Sequence, residues 1–296
     1  MVAEALARAA GGWLAAGGGE ECAADRELWY SLGASAAIAL AVLACAPATR
    51  ALGLCRRKGD DVWLGALDLE SLVSSVPVAV LATASTVYGG ATAHERWIGD
   101  ADAPSNTFAP GADTCGCGAM GVCWLTNVLM VARALGTIPF YFLAEGGLFK
   151  KGEGRYLFVA HHLVVAFGLV AAMAMRRGRW YGAAMAVAEW SNPFVSAKQL
   201  LQRVPKRQLG LEAANGVLLA LTFIGTRLVG IPLLAILFVA DRKFALEEAK
   251  VPMGVYCAWF FSGIAMFGLS FYWAFPVLAS AARKWRKAAA ARAKGA

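Results

Sequence analysis

The chain has 296 residues, of which 59% are hydrophobic and only 16% are charged. A soluble domain this apolar would aggregate, so the composition excludes an ordinary soluble enzyme or binding module. The net charge of +8 does not require a nucleic-acid partner, because Lys and Arg beside anionic lipid head groups account for it.

The apolar residues are gathered into runs of about twenty or more, the length that crosses a bilayer core as a helix. Short basic, Gly-rich or Pro-containing stretches separate the runs. This pattern predicts an all-α, polytopic membrane helix bundle with about seven transmembrane helices. The predicted spans are 28–46, 62–90, 119–145, 157–174, 180–201, 211–240 and 251–280.

The chain is expected to divide into four segments. Residues 1–26 are predicted to be a disordered lead-in, because this Ala- and Gly-rich, partly acidic stretch has no apolar core long enough for a secretory signal. Residues 27–61 would hold the first transmembrane span and a basic cytoplasmic loop, 62–285 the main helical domain, and 286–296 a basic cytoplasmic tail.

The distribution of Lys and Arg predicts the orientation. Residues 50–58, 150–155, 203–207 and the tail from 283 carry 16 basic residues, against 9 on the opposite side of a seven-span chain. Basic loops stay on the cytoplasmic side. We therefore expect a cytoplasmic carboxyl terminus, although the basic turn at 176–179 argues the other way.

Three of the seven cysteines, Cys115, Cys117 and Cys123, lie near the end of the loop 91–118. The predicted topology puts this loop on the lumenal side, where oxidising conditions permit a disulfide. The sequence leaves open whether these residues form a disulfide or stay as thiols. A zinc site needs four ligands, and His94 is the only histidine in the loop, so no metal site is predicted.

Polar side chains inside the predicted spans are the candidate functional residues, because an ionised side chain in hydrocarbon costs about 2.5–3.5 kcal/mol on insertion scales. His161, His162, Asn192 and Asn215 all fall in the predicted cytoplasmic halves of neighbouring spans. We predict that at least one of these histidines lines a cavity together with one of these asparagines. The full candidate set is Asp68, Glu70, Asn127, Arg133, His161, His162, Glu189, Asn192, Asn215 and Arg227.

Arg227 is the most demanding member of this set, because its guanidinium cannot lose its proton. Inside a bundle it needs an acidic or carbonyl partner or a phosphate-bearing ligand. Estimated depths along the spans make Glu189 the predicted partner. Glu189 and Asn192 are three residues apart and so share a helix face.

An ordered set of short motifs resembles the TLC domain family, which is named for the translocating-chain-associating protein, the Lag-type ceramide synthases and a neuronal lipofuscinosis protein. The likeness covers roughly 62–285. It implies six helices around a central lipid-accessible cavity, here preceded by one extra span. The motifs are His161-His162, then Glu189-Trp190-Ser191-Asn192-Pro193-Phe194, then Asn215-Gly216 with Phe223, Arg227 and Ile231-Pro232.

Ceramide synthases of this family transfer an acyl group from acyl-CoA to a sphingoid amine, using a motif that begins with two histidines. His161 and His162 match that pair by resemblance, and a neutral histidine can act as a general base or an acyl-accepting nucleophile. The synthases also carry an HDxxD cluster on the following helix. This chain has Glu189, Trp190 and Pro193 there, so it is more similar to the non-synthase branch linked to membrane lipid composition.

The resemblance implies an integral membrane protein of the endoplasmic reticulum that acts in lipid homeostasis, by binding or transferring lipid or acyl groups. One alternative is a ceramide-synthase-like acyltransferase with His161 and His162 as catalytic residues, and another is a cargo or assembly factor. Membrane lipids are the expected partners and acyl-CoA is a further candidate, whereas no metal or cofactor is expected. The predicted substrate-binding residues are Glu189, Asn192, Asn215 and Arg227.

Overall fold

The computed structural model describes residues 24–52, 54, 61–88, 91–98, 119–144, 147, 149, 154–175, 177–204 and 208–295. This part of the chain is almost entirely helical and contains no strand. The helices are α1 (Ala24–Ala51), α2 (Val62–Tyr88), α3 (Ala93–Trp97), α4 (Ala119–Leu143), α5 (Arg155–Met175), α6 (Arg179–Met185), α7 (Asn192–Arg203), α8 (Leu209–Phe223), α9 (Ile231–Ala240) and α10 (Met253–Gly295).

Within the described residues, six helical stretches are long and apolar enough to cross a membrane. One of them joins α8, a π-helical turn and α9 into a single apolar rod. The predicted all-α polytopic bundle is therefore confirmed. The six stretches are Tyr30–Ala51, Val62–Val87, Leu125–Leu143, Arg155–Met175, Leu209–Ala240 and Met253–Pro276.

The predicted span 180–201 differs from the other six. It is helical but broken into α6, a 3₁₀ segment at Ala186–Ser191, and the amphipathic α7. It nevertheless runs along the whole of α2 in the opposite direction. Trp180 Nε1 donates to the carbonyl of Ser85 at one end (3.1 Å), and Arg203 pairs with Asp68 at the other (2.9 Å).

Ionic contacts hold each end of the bundle together. Asp61, before α2, lies 3.5 Å from Arg155 at the start of α5, and its carbonyl accepts a hydrogen bond from Arg203 at the end of α7. At the opposite end, Arg96 pairs with Asp241 (2.6 Å). The segments before α2, before α5 and after α7 therefore meet at one end, as the predicted loop arrangement requires.

Small residues allow the helices around α4 to approach closely. A Cβ added at Gly136 would lie 2.6 Å from the Ser35 carbonyl oxygen on α1, so no larger side chain fits there. A Cβ at Gly182 would lie 2.6 Å from a Leu169 methyl carbon and 2.8 Å from the Asn127 amide oxygen. Close approach at small residues is a usual basis of helix packing in membranes.

Candidate functional site

A cavity of about 370 Å³ lies between α5, α6, the rod formed by α8 and α9, and α10. Its wall is almost entirely apolar, and the charged or titratable side chains on it are His161, Glu189, Arg227 and Tyr181. Gly168 also lies on the wall, and a Cβ built there would meet no atom within 4 Å. The wall at Gly168 therefore faces open space rather than a packed neighbour.

The cavity opens between helix faces. Its wall includes Ile236, which is 64% exposed, and Ile264, which is 49% exposed. Both residues lie on helices with the length and apolarity of membrane spans. In a bilayer these faces contact lipid, so the cavity is open sideways to the hydrocarbon region.

An aromatic cluster closes the cavity at the Arg96 end of the bundle. The side chain of Trp97, on the short helix α3, is 1% exposed and packs against Tyr181 (5.2 Å between ring centroids), Phe238 (5.1 Å) and Trp259 (6.1 Å). Trp259 Nε1 donates to the carbonyl of Gly168 (3.2 Å), which ties α10 to α5. These contacts form the end wall of the cavity.

Charged contacts at Asp241 support this end wall. Arg96 donates to both carboxylate oxygens of Asp241 (2.6 and 2.7 Å), and the Tyr181 hydroxyl donates to the same carboxylate (2.6 Å). Burial alone would raise the pKa of Asp241, but these hydrogen bonds outweigh it and hold the pKa below its usual range. Asp241 therefore stays ionised and keeps its two partners in place.

The two adjacent histidines on α5 have different surroundings. His161 lies on the cavity wall, and its buried Nδ1 has no hydrogen-bond partner among the described residues. The centroid of its ring lies 5.3 Å from that of the Trp273 ring, and the two ring planes meet at 68°. His162 Nδ1 instead lies 3.1 Å from the Thr137 hydroxyl on α4. Neighbouring helix residues point about 100° apart, and only His161 faces the cavity.

Arg227 reaches the cavity from the π-helical turn Ile224–Gly230. It is 5% exposed, and it donates from Nε to the Ser191 hydroxyl (2.8 Å) and from Nη2 to the Asn192 amide oxygen (2.8 Å). Its guanidinium carbon lies 5.3 Å from the centroid of the Phe223 ring. Within the described residues, Nη1 has no hydrogen-bond partner.

The predicted ion pair between Arg227 and Glu189 is wrong. Glu189 accepts instead from Arg133 Nη1 on α4 and from the Asn192 amide nitrogen (2.8 Å). Arg133 can bond to this carboxylate because α4, which carries it, packs between α2 and α5. Depth estimates along separate spans do not show which helices are lateral neighbours. The 3₁₀ segment also rises more per residue than an α-helix, which changes the depth of Glu189.

Arg133 extends this network to α2. Its Nη2 donates to the Ser71 hydroxyl (2.7 Å), and its Nε lies 3.9 Å from a carboxylate oxygen of Glu70. Arg133 and Glu70 belong to the polar candidates predicted from the sequence, but the sequence does not predict that they pair. Two carboxylates, Glu70 and Glu189, balance two guanidinium groups, Arg133 and Arg227.

Neither predicted asparagine lies on the cavity wall, so the expected grouping of a histidine with Asn192 or Asn215 is corrected. Asn192 lies behind the wall, between Glu189 and Arg227. The amide of Asn215 donates to the carbonyl of Phe194 (2.9 Å), which fastens α8 to α7. Substrate binding by Asn215 therefore stays a prediction.

The possible disulfide involves two cysteines, Cys115 and Cys117, that lie outside the described part of the chain. Cys123 is a free thiol, 1% exposed, within the aromatic cluster at the Arg96 end.

The fold and the cavity define a polytopic membrane protein with a laterally open apolar cavity and buried charges beside it. The family model for the TLC domain of TRAM, LAG1 and CLN8 proteins matches residues 120–279, more than half of the chain. The chain therefore belongs to the TLC domain family, a lipid-related family of membrane proteins. No solved structure gives a significant match to it. The matched region begins within α4, so α2, which supplies Glu70 and Ser71, precedes it.

Proposed function

We propose that this protein holds one lipid chain in the cavity and acts in lipid homeostasis by binding or transferring lipid or acyl groups. The observation that carries the proposal is an apolar, laterally open cavity with His161, Glu189 and Arg227 on its wall. An apolar pocket with a few convergent polar groups is the usual form of a ligand site.

The cavity volume supports one hydrocarbon chain rather than two. At about 30 Å³ for each water-sized group, 370 Å³ accommodates roughly a dozen methylene groups. A longer chain would extend through the lateral opening into the bilayer. The basic residue count further supports a cytoplasmic carboxyl terminus, and the family supports a location in the endoplasmic reticulum.

Binding to the purified full-length protein tests the proposal. The protein is placed in phosphatidylcholine nanodiscs and titrated with radiolabelled dodecanol and dodecanoic acid, with empty nanodiscs as the partition control. We expect saturable binding. Gly168→Leu should abolish it, because the new side chain enters the open space of the cavity.

Gly216→Leu is the matched control for this substitution. Gly216 lies on α8 with no atom within 4 Å of an added Cβ, but it does not line the cavity. Binding by this variant should equal that of the unaltered protein. Absence of saturable binding, or binding unchanged by Gly168→Leu, contradicts the proposal.

An acyltransferase is the second candidate function, and the partnerless Nδ1 of His161 favours it. An imidazole nitrogen without a hydrogen-bond partner can attack the carbonyl carbon of an acyl thioester. The carbon–sulfur bond breaks, the thiolate takes the proton of the other ring nitrogen, and the acyl group then passes from the imidazole to an acceptor amine. His161→Ala should then abolish transfer from dodecanoyl-CoA. His162→Ala should retain transfer, since His162 faces Thr137. Equal losses in both variants contradict this assignment.

A further inference from the structure

The amide of Asn192 lies between the two opposite charges beside the cavity. Its nitrogen donates to Glu189 Oε2 (2.8 Å), and its oxygen accepts from Arg227 Nη2 (2.8 Å). A primary amide can serve a carboxylate and a guanidinium at once, because one end only donates and the other only accepts. No other residue described in the structure bonds to both Glu189 and Arg227.

This arrangement leaves Arg227 without a carboxylate of its own. Its two hydrogen-bonded partners, Ser191 and Asn192, are both uncharged. A buried arginine ordinarily pairs with a carboxylate through two parallel N–H groups. Such a pair would use the N–H groups of Arg227 Nη1, which have no partner in this arrangement. Glu189 is the nearest such carboxylate along the network, and Asn192 occupies the position between them.

We propose that Asn192 is a specificity-determining residue that keeps Arg227 apart from Glu189, so that Arg227 retains a free N–H for the carboxylic-acid head group of a single-chain lipid. The inference rests on the proposed function, since it requires that the cavity holds a lipid chain. It adds the class of head group and the residue that selects it.

Charge balance explains why the ligand is a carboxylic acid that enters in its neutral form. Glu70 and Glu189 already equal the charges of Arg133 and Arg227, so a ligand that arrives as an anion adds an uncompensated charge in a low-dielectric region. A neutral acid avoids this cost. Its O–H bond stays intact, and its carbonyl oxygen accepts a hydrogen bond from Nη1 of Arg227, so the total charge is unchanged.

The test compares dodecanoic acid with dodecanol, which has the same chain and no carbonyl oxygen to accept from Arg227. In phosphatidylcholine nanodiscs the unaltered protein should bind the acid at least about tenfold more tightly, the scale of a hydrogen bond to a charged group. Asn192→Ala should remove this preference, because Arg227 and Glu189 can then pair directly. Dodecanol binding should not change, which also shows that the variant is folded.

A second substitution separates this role from a structural one. Adding Glu189→Gln to Asn192→Ala removes the competing carboxylate, so the preference for the acid should return. Glu189→Gln alone should raise the preference above that of the unaltered protein, and this variant does not depend on the stability of Asn192→Ala. The matched control is Asn215→Ala, which loses one amide hydrogen bond, to Phe194, away from the cavity wall.

The outcomes distinguish the two proposals. If neither probe binds the unaltered protein, the proposed lipid-binding function fails. If both probes bind equally, if Asn192→Ala keeps the preference, or if the double variant does not recover it, the role of Asn192 is overturned while lipid binding stands. Tighter binding of dodecyl phosphate than of dodecanoic acid would overturn the carboxylic-acid class.

Discussion

Replacing Arg133 with Met tests whether the buried charge network stabilises the bundle. The substitution keeps most of the side-chain volume but leaves Glu70 and Glu189 without their shared cation. The side chains of these carboxylates are only 3% and 7% exposed. Leaving a buried charge unpaired typically costs about 3–5 kcal/mol, so we expect a loss of unfolding free energy of that size.

Reversible unfolding in mixed detergent micelles, followed by circular dichroism, measures this loss. Arg242→Met is the matched control, because Arg242 is exposed and its replacement should change stability by less than about 0.5 kcal/mol. The double variant Arg133→Met, Glu189→Gln should lose less stability than the sum of its single variants. Strictly additive losses, or a loss for Arg133→Met no larger than that of the control, would refute the assigned network.

Three further predictions concern packing, the end wall and orientation. Gly136→Ala should lower folded yield on size-exclusion chromatography, because its Cβ meets a backbone carbonyl of α1 at 2.6 Å, whereas Gly168→Ala should not. Asp241 has a lowered pKa beside Arg96 and Tyr181, so its contribution to stability is complete above about pH 4 and is lost as the pH falls below that value. Asp241→Asn should remove this acid-side dependence in a pH series of thermal melts; an unchanged series contradicts the assignment. A glycosylation tag at the carboxyl terminus should remain unmodified, and its glycosylation would contradict the cytoplasmic orientation.

Much of the fold follows directly from the apolar runs. Six of the seven predicted spans correspond to continuous helical stretches, because a run of apolar residues long enough to cross a bilayer has few other stable forms. The span 180–201 is the exception. Its polar carboxyl-terminal part and its 3₁₀ segment are stabilised by contacts with α2. A hydropathy profile carries no information on such contacts between helices.

The site was predictable as a set of residues but not as a set of contacts. His161, Glu189 and Arg227 were all candidates by their polarity, and all three line the cavity. Sequence depth could not show that Arg133 bonds to Glu189, since lateral order among helices is set by packing. The sequence also did not predict that Asn192 lies between Glu189 and Arg227. This position depends on the orientation of Arg227, which lies in a π-helical turn.

Photo-crosslinking tests whether a lipid chain occupies the cavity. The full-length protein in nanodiscs is irradiated with a twelve-carbon fatty acid that carries a diazirine in its chain, and the modified residues are mapped by mass spectrometry. We expect adducts on the cavity faces of α5 and α10, around Gly168 and Trp259, that unlabelled dodecanoic acid suppresses. Adducts confined to outer faces such as Leu218 and Leu221 of α8, with no suppression, would contradict it.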